Sequence, residues 1–196
     1  MVLSCLFLGS ESVWYHDGNQ KIFFERNHLD ETLSKSLLEL IKTNNTQEIV
    51  VVTWPWWFTN LRVGSLVCNL IAHYVPTVSF RVVSKIQCYK RCIDNAILPA
   101  HWLVYIGQKK TVWDYDFASD TYTLISKDTV VDDTYFIEWV DGYYDKIDEK
   151  KHVLFDIDGW LYLQYWWEKH YLDKLLANIS VSRIVEPSYY VQPVIG

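Results

Sequence analysis

The chain has 196 residues, half of them hydrophobic and 21% charged, with a net charge of −6 and a pI near 5.5. That length can bury a real core as one compact domain or two small lobes. The acidic balance and the lack of any long Lys/Arg run argue against a stand-alone nucleic-acid binder, which would carry a basic footprint.

Cys5, Cys68, Cys88 and Cys92 show no disulfide framework, and with no His or second Cys pair beside Cys88 and Cys92 they read as buried thiols rather than metal ligands. Met1–Leu8 is apolar but lacks a positive flank and a cleavage site, so it reads as a buried strand rather than a signal peptide. No apolar stretch is long enough to span a membrane, and a cytoplasmic location is expected. One number stands out. Trp occurs 10 times and Gly only 7 times, the latter about half its usual share of roughly 7%.

The first predicted elements are three strands, 2–8, 12–16 and 21–26, with a polar corner at Gly9-Ser10-Glu11 and a hairpin turn at Asp17-Gly18. Asn27 then serves as the expected cap of a helix whose Leu29, Leu33, Leu37, Leu40 and Ile41 recur at helical spacing, ending at Thr43-Asn44-Asn45. A strand at 48–53 and a helix at 58–74 follow, the helix stopping before Pro76. A strand at 78–83 and a helix at 85–96 complete the first half. Beyond Pro99, strands at 102–106 and 111–117 flank a hairpin turn at Gly107–Lys110, and 118–150 is weakly patterned, with short strands and loops. A strand at 152–158, a helix at 160–177 and an extended tail finish the chain. Pattern alone establishes an α/β protein.

The segment Phe58-Thr59-x-Leu61-Arg62-Val63-Gly64 sits where strand 48–53 gives way to a helix, and it resembles the signature G-P-G-S-F-T-G-[LVI]-R-[IV]-G of the TsaB (YeaZ) family. The helix at 27–42 and the hairpin at 102–117 stand where that family has its leucine-rich helix and its second-lobe hairpin. Glu186-Pro187-x-Tyr189 resembles the family's closing Glu-Pro-x-Tyr-Leu. The resemblance covers residues 1–117 and the tail, and leaves 118–150 unmatched.

It implies an actin-like (ASKHA, ribonuclease-H-like) fold of two lobes, with 1–98 as the N-terminal lobe and 99–196 as a reduced C-terminal lobe whose tail packs back on the first. It also implies a role: a non-catalytic subunit required with TsaD for threonylcarbamoyl transfer to N6 of adenosine 37 in tRNA. A TsaE-like ATPase would cycle that complex, tRNA would be met only indirectly, and a homodimer could use the same surface. No cofactor or metal is expected. The partner interface expected from the resemblance comprises Leu33, Leu37, Leu40, Ile41, Phe58, Leu61, Arg62, Leu66 and Leu70, although one side of these two helices must also cover the sheet. Arg62 reads equally as a tie to the preceding loop and as a partner contact.

The family-motif turn is Trp54-Pro55-Trp56-Trp57, continuing through Thr59 to Gly64. The family has Gly at the Trp positions, where the backbone turns tightly without a Cβ. Two accounts fit. Either the turn has become an aromatic patch able to act as a binding hot spot, or the gene comes from a lineage that reads UGA as glycine. The second restores Gly-Pro-Gly-Gly-Phe-Thr from one assumption and explains excess Trp and scarce Gly together.

Catalytic groups are missing where the family's catalytic paralogue needs them. The corner Leu8-Gly9-Ser10-Glu11-Ser12 lacks the Asp-Thr-Ser that the family usually keeps. The six histidines include no i, i+4 pair to hold a metal, and no Ser-His-Asp set follows from spacing. Phe155-Asp156-Ile157-Asp158-Gly159 resembles the first motif of haloacid-dehalogenase-type phosphatases, yet Trp160 follows it and only 36 residues remain beyond that for the rest of such a domain. A strand ending in an acidic helix cap is the plainer reading. Asp114, Asp116, Asp132, Asp133 and Asp141 read as a solvated face. The alternatives to the TsaB-like subunit are an orphan homodimeric scaffold of the same fold and, third, a phosphatase using Asp156 and Asp158.

Overall fold

A computed structural model describes residues 4–9, 13–17, 20–25, 27–53, 58–94, 99–105, 110–129, 136–138, 152–153 and 176–187. The chain divides into two units, one formed by 1–85 with 175–196 and the other by 86–174.

The first unit opens with strands β1 (Ser4–Leu8), β2 (Val13–His16) and β3 (Lys21–Phe24), then helix α1 (Leu29–Asn44), strand β4 (Glu48–Thr53), helix α2 (Phe58–Tyr74) and strand β5 (Ser79–Ser84). Its mixed sheet runs in the order β3-β2-β1-β4-β5. β1, β2 and β3 form an antiparallel meander, while β4 and β5 lie parallel to β1. Each parallel step needs a crossover, and α1 and α2 supply them.

Alternation decides the faces. Leu6, Leu8, Val13, Tyr15, Ile49 and Val51 point to one side, where Leu29, Leu33, Leu37 and Ile41 of α1 and Leu61, Val67, Cys68 and Ile71 of α2 close the core. On the other face, Cys5, Phe7, Trp14, Val50 and Val52 are buried as well. A central strand buried on both faces needs no polar alternation, which is why Ile49-Val-Val-Val52 reads as an unbroken apolar run.

The start of α1 departs from expectation. Asn27 is not the cap: His28 holds that place in a left-handed conformation (φ 58, ψ 33), with no side-chain cap bond. A capping side chain needs an extended backbone at this position, and the turn here excludes it. The Thr32 N–H and hydroxyl both donate to the His28 carbonyl, at 3.0 and 2.9 Å, and Asp30 and Glu31 complement the helix dipole. The other end follows expectation. Asn45 is left-handed (φ 48), and its N–H, like that of Thr46, is bonded to the Ile41 carbonyl.

His16, at the end of β2, is largely buried, and burial pulls its pKa below the ordinary 6.5, with Asp17 opposing and Lys21 adding to the shift. The unfolded chain therefore takes up a proton at His16 more readily than the folded one. Stability from a neutral His16 is complete above pH 6.5 and is lost as pH falls through the lowered value. Urea melts of His16→Gln between pH 7.5 and 5 should show a flatter pH dependence than wild type; parallel curves would remove His16 as the cause.

The second unit contains helix α3 (Lys85–Asp94) from Ile86 onward and strands β6 (His101–Tyr105), β7 (Thr111–Asp116), β8 (Thr121–Ser126), β9 (Phe136–Glu138) and β10 (His152–Val153). Its sheet order is β10-β9-β6-β7-β8, with β6, β7 and β8 antiparallel and β9 and β10 parallel to β6. Trp102, Trp113, Tyr115, Phe117 and Tyr89 form an aromatic core with ring centroids 4.3–6.1 Å apart along its contacts. β8 is a full six-residue strand inside the weakly patterned 118–150. It lies at the sheet edge with residues 121–124 exposed, so it carries no alternation to read.

Candidate functional site

Helix α2 is the element on which the sequence motif falls, and its residues divide cleanly. Leu61, Gly64, Ser65, Val67, Cys68, Ile71 and Ala72 face inward, whereas Thr59, Arg62, Leu66, Leu70, His73 and Tyr74 are exposed. The inward face explains the motif glycine. A Cβ on Gly64 would stand 2.3 and 2.6 Å from the two δ-methyl carbons of Leu8 and 3.0 Å from its Cγ. Glycine is what lets α2 lie this close to β1.

Asn60 fills the motif's unmatched position and was not singled out by sequence. It is buried, and its Nδ2 donates to the Gly9 carbonyl at 2.8 Å. The first turn of α2 is thereby fixed to the corner that follows β1. Its sequence signal is a polar residue at helical spacing from the apolar Val67 and Ile71.

The outward face is unusual for a helix that covers a sheet. Leu66, Leu70 and Tyr74 are 59%, 44% and 72% exposed and repeat at i, i+4 and i+8, which stacks them in one stripe. Apolar side chains in series on a surface mark interaction sites more often than isolated ones do.

The nine expected interface residues therefore separate. Leu33, Leu37, Ile41 and Leu61 are fully buried in the core of the unit, and Leu40 packs against that core while partly exposed. In this chain those four cover the sheet, because the sheet's apolar face takes up the inner side of both helices. Arg62, Leu66 and Leu70 lie outward. Phe58 begins α2, but its side chain, like Trp54, Pro55, Trp56 and Trp57, lies outside the described residues. Thr59 is exposed. Of the C-terminal motif, Glu186 and Pro187 are described and Tyr189 is not. Glu11, Asp132, Asp133, Asp141, Asp156 and Asp158 also lie outside the described residues.

Three carboxylates described in the second unit have structural partners. Asp114 meets His101 at 2.5 Å. Asp116 accepts bonds from the Ser119 hydroxyl and the Ala118 and Ser119 N–H groups, which hold its carboxyl below the usual range. Asp120, left-handed at φ 56, is likewise lowered by Lys90 and the Tyr115 hydroxyl. Among the described residues no group of three His, Cys, Asp or Glu could hold a metal. Burial raises the thiol pKa of Cys5 and pushes that of Cys68 up to about 12, leaving neither as a nucleophile. Among the described residues no helix is long and apolar enough to cross a membrane.

No protein-family model and no curated protein matches the chain. Among solved structures it is similar to YeaZ from Pseudomonas aeruginosa, at 15% identity and a TM-score of 0.41, over 64% of this chain and 64% of that one. Identity and overlap at this level leave function to be argued from the chain's own residues.

Proposed function

We propose that this chain is a TsaB-like, non-catalytic partner subunit that docks a TsaD-like protein through the outer face of α2. The observation that carries the reading is the motif helix itself. Gly64 seats it against β1, and Leu66, Leu70 and Tyr74 leave an apolar stripe on its far side. The sheet order β3-β2-β1-β4-β5, with its antiparallel meander and two parallel crossovers, is the arrangement that an actin-like, ribonuclease-H-like lobe requires. In this reading the protein supplies interface energy and no catalytic group. It holds TsaD in the state that transfers threonylcarbamoyl to adenosine 37 of tRNA, a TsaE-like ATPase cycles the complex, and both act in the cytoplasm.

The test is co-elution with the same organism's TsaD-like protein on size exclusion, using the written sequence beside Trp54→Gly/Trp56→Gly/Trp57→Gly. A heterodimer with either version supports the reading. Two folded proteins that elute apart with both versions remove its mechanism.

The codon account is narrowed by the fold. Trp14, Trp102 and Trp113 are fully buried and stacked on Phe7, Phe117 and Tyr122 respectively. Glycine at any of the three would leave a cavity the size of an indole, a loss of about 3–5 kcal/mol. Mass spectrometry of the native protein is therefore expected to find Trp at 14, 102 and 113, and Gly at 54, 56 and 57. Peptides bearing Trp at the latter three positions would end the codon explanation and leave the aromatic patch.

A further inference from the structure

The run 176–187 belongs to the first unit, and it is held there largely by its backbone. Ser182 and Phe80 exchange two 2.8 Å hydrogen bonds, N–H to carbonyl in each direction, which extends the sheet past its edge strand β5. The Asn69 side chain does the same for Val185: Oδ1 accepts the Val185 N–H at 2.8 Å, and Nδ2 donates to the Val185 carbonyl at 3.2 Å. Arg81, whose Nε is bonded to Glu48, donates from Nη1 to the carbonyls of Leu176 and Ile179, at 2.8 and 2.6 Å. Arg183 reaches the Ala72 carbonyl at 2.5 Å.

Few side chains of the run are committed to the core. Val185 is fully buried and Leu176 nearly so, while Val181 and Ile184 are 48% and 61% exposed. This is how an extended peptide adds to a sheet edge: main-chain bonds hold it, and a pocket for one side chain sets its register. A segment with so little apolar burial opens at lower free energy than β4, whose residues are buried on both faces.

We propose that 176–187 is a releasable strap, and that the slot it leaves on the β5 edge and the C-terminal half of α2 accepts the same segment from a second copy of this chain. The slot already matches that sequence: Asn69 reads the backbone at 185, a pocket takes Val185, and Arg81 meets two carbonyls at the strap's start. An opened β5 edge is a template for strand pairing, and exchange of an identical element is a low-cost route to association. The inference does not depend on the tRNA-modification reading.

The test uses the full chain and a fluorescein-labelled peptide with the sequence of residues 176–187. In the full chain, Ser182→Pro removes the N–H bonded to Phe80, and Val185→Asp empties the pocket, so the double variant should lose its own strap. Fluorescence anisotropy should show that variant binding the peptide at least about tenfold tighter than wild type does, because the tethered strap competes in wild type. A peptide carrying Val185→Asp should bind neither. A folded double variant that binds the peptide no better than wild type would overturn the proposal.

Hydrogen exchange on the unaltered chain tests the release that the proposal requires, even if the variant fails to fold. The amides of Ser182 and Val185 should exchange at least about 100-fold faster than that of Val51 in the central strand. Equal protection would make the tail part of the global core and sink the proposal.

Discussion

Replacing Gly64 by alanine is expected to destabilise the first unit by about 1–2 kcal/mol, although alanine is the better helix former by about 1 kcal/mol. The two effects oppose each other, and packing wins. The new methyl would overlap both δ-carbons of Leu8, and Leu8 is fully buried in the core cluster, so its side chain can give way only by displacing its neighbours. Overpacking of this kind costs roughly 1–3 kcal/mol. Valine at 64 adds bulk and a poor helix propensity, so its loss should be larger, with a fall in melting temperature of roughly 2–4 °C per kcal/mol for a chain of this size. The same geometry predicts the rescue. Leu8→Ala alone leaves a cavity and costs about 2–5 kcal/mol, but in the Gly64→Ala background the new methyl occupies part of that space. The double variant should therefore be more stable than the sum of its parts by at least about 1 kcal/mol. Additive losses in denaturant melts would show that α2 and β1 are not in the contact described.

Leu66→Glu/Leu70→Glu is expected to leave stability within about 0.5 kcal/mol of wild type, since both side chains are exposed and glutamate is a good helix former. Under the proposed reading, its effect should fall on association with a TsaD-like protein. Two apolar anchors at the centre of an interface are worth about 2 kcal/mol or more each when lost, so affinity should drop at least about 100-fold. Leu37→Ala provides the contrast. That residue lies in the sheet-facing core, so the variant should lose about 2–5 kcal/mol of stability while the folded fraction keeps its affinity. Titration calorimetry with unchanged binding for the Glu double variant would place the partner surface elsewhere.

The three wild-type leucines in these two experiments look alike in sequence. Leu37, Leu66 and Leu70 each sit in an amphipathic helix at helical spacing, and each was a candidate interface residue. Periodicity reports which residues share a face. It does not report how many apolar surfaces compete for that face. In α1 the sheet takes the leucine face whole. In α2 the apolar residues exceed one face, and the surplus Leu66 and Leu70 end up outside, joined by Tyr74, which only the structure adds to the stripe.

The amino-acid sequence by itself determined the element order of the first unit, because short apolar strand runs give way to apolar residues at helical spacing where each helix begins, and Asn45 and Pro76 punctuate the helices. It also located the motif helix. Tertiary structure alone decided the rest, for reasons of distance and environment. The Gly64–Leu8 approach and the Asn60 tie to Gly9 join residues more than fifty positions apart. The cap at His28 depends on a turn that local propensity disfavours. β8 carries no alternation, because an exposed edge strand buries neither face. The strap's hold on α2 and β5 depends on Asn69 and Arg81 meeting backbone that lies 95–116 residues later in the chain, and a side chain that recognises backbone leaves no trace in the residues it recognises.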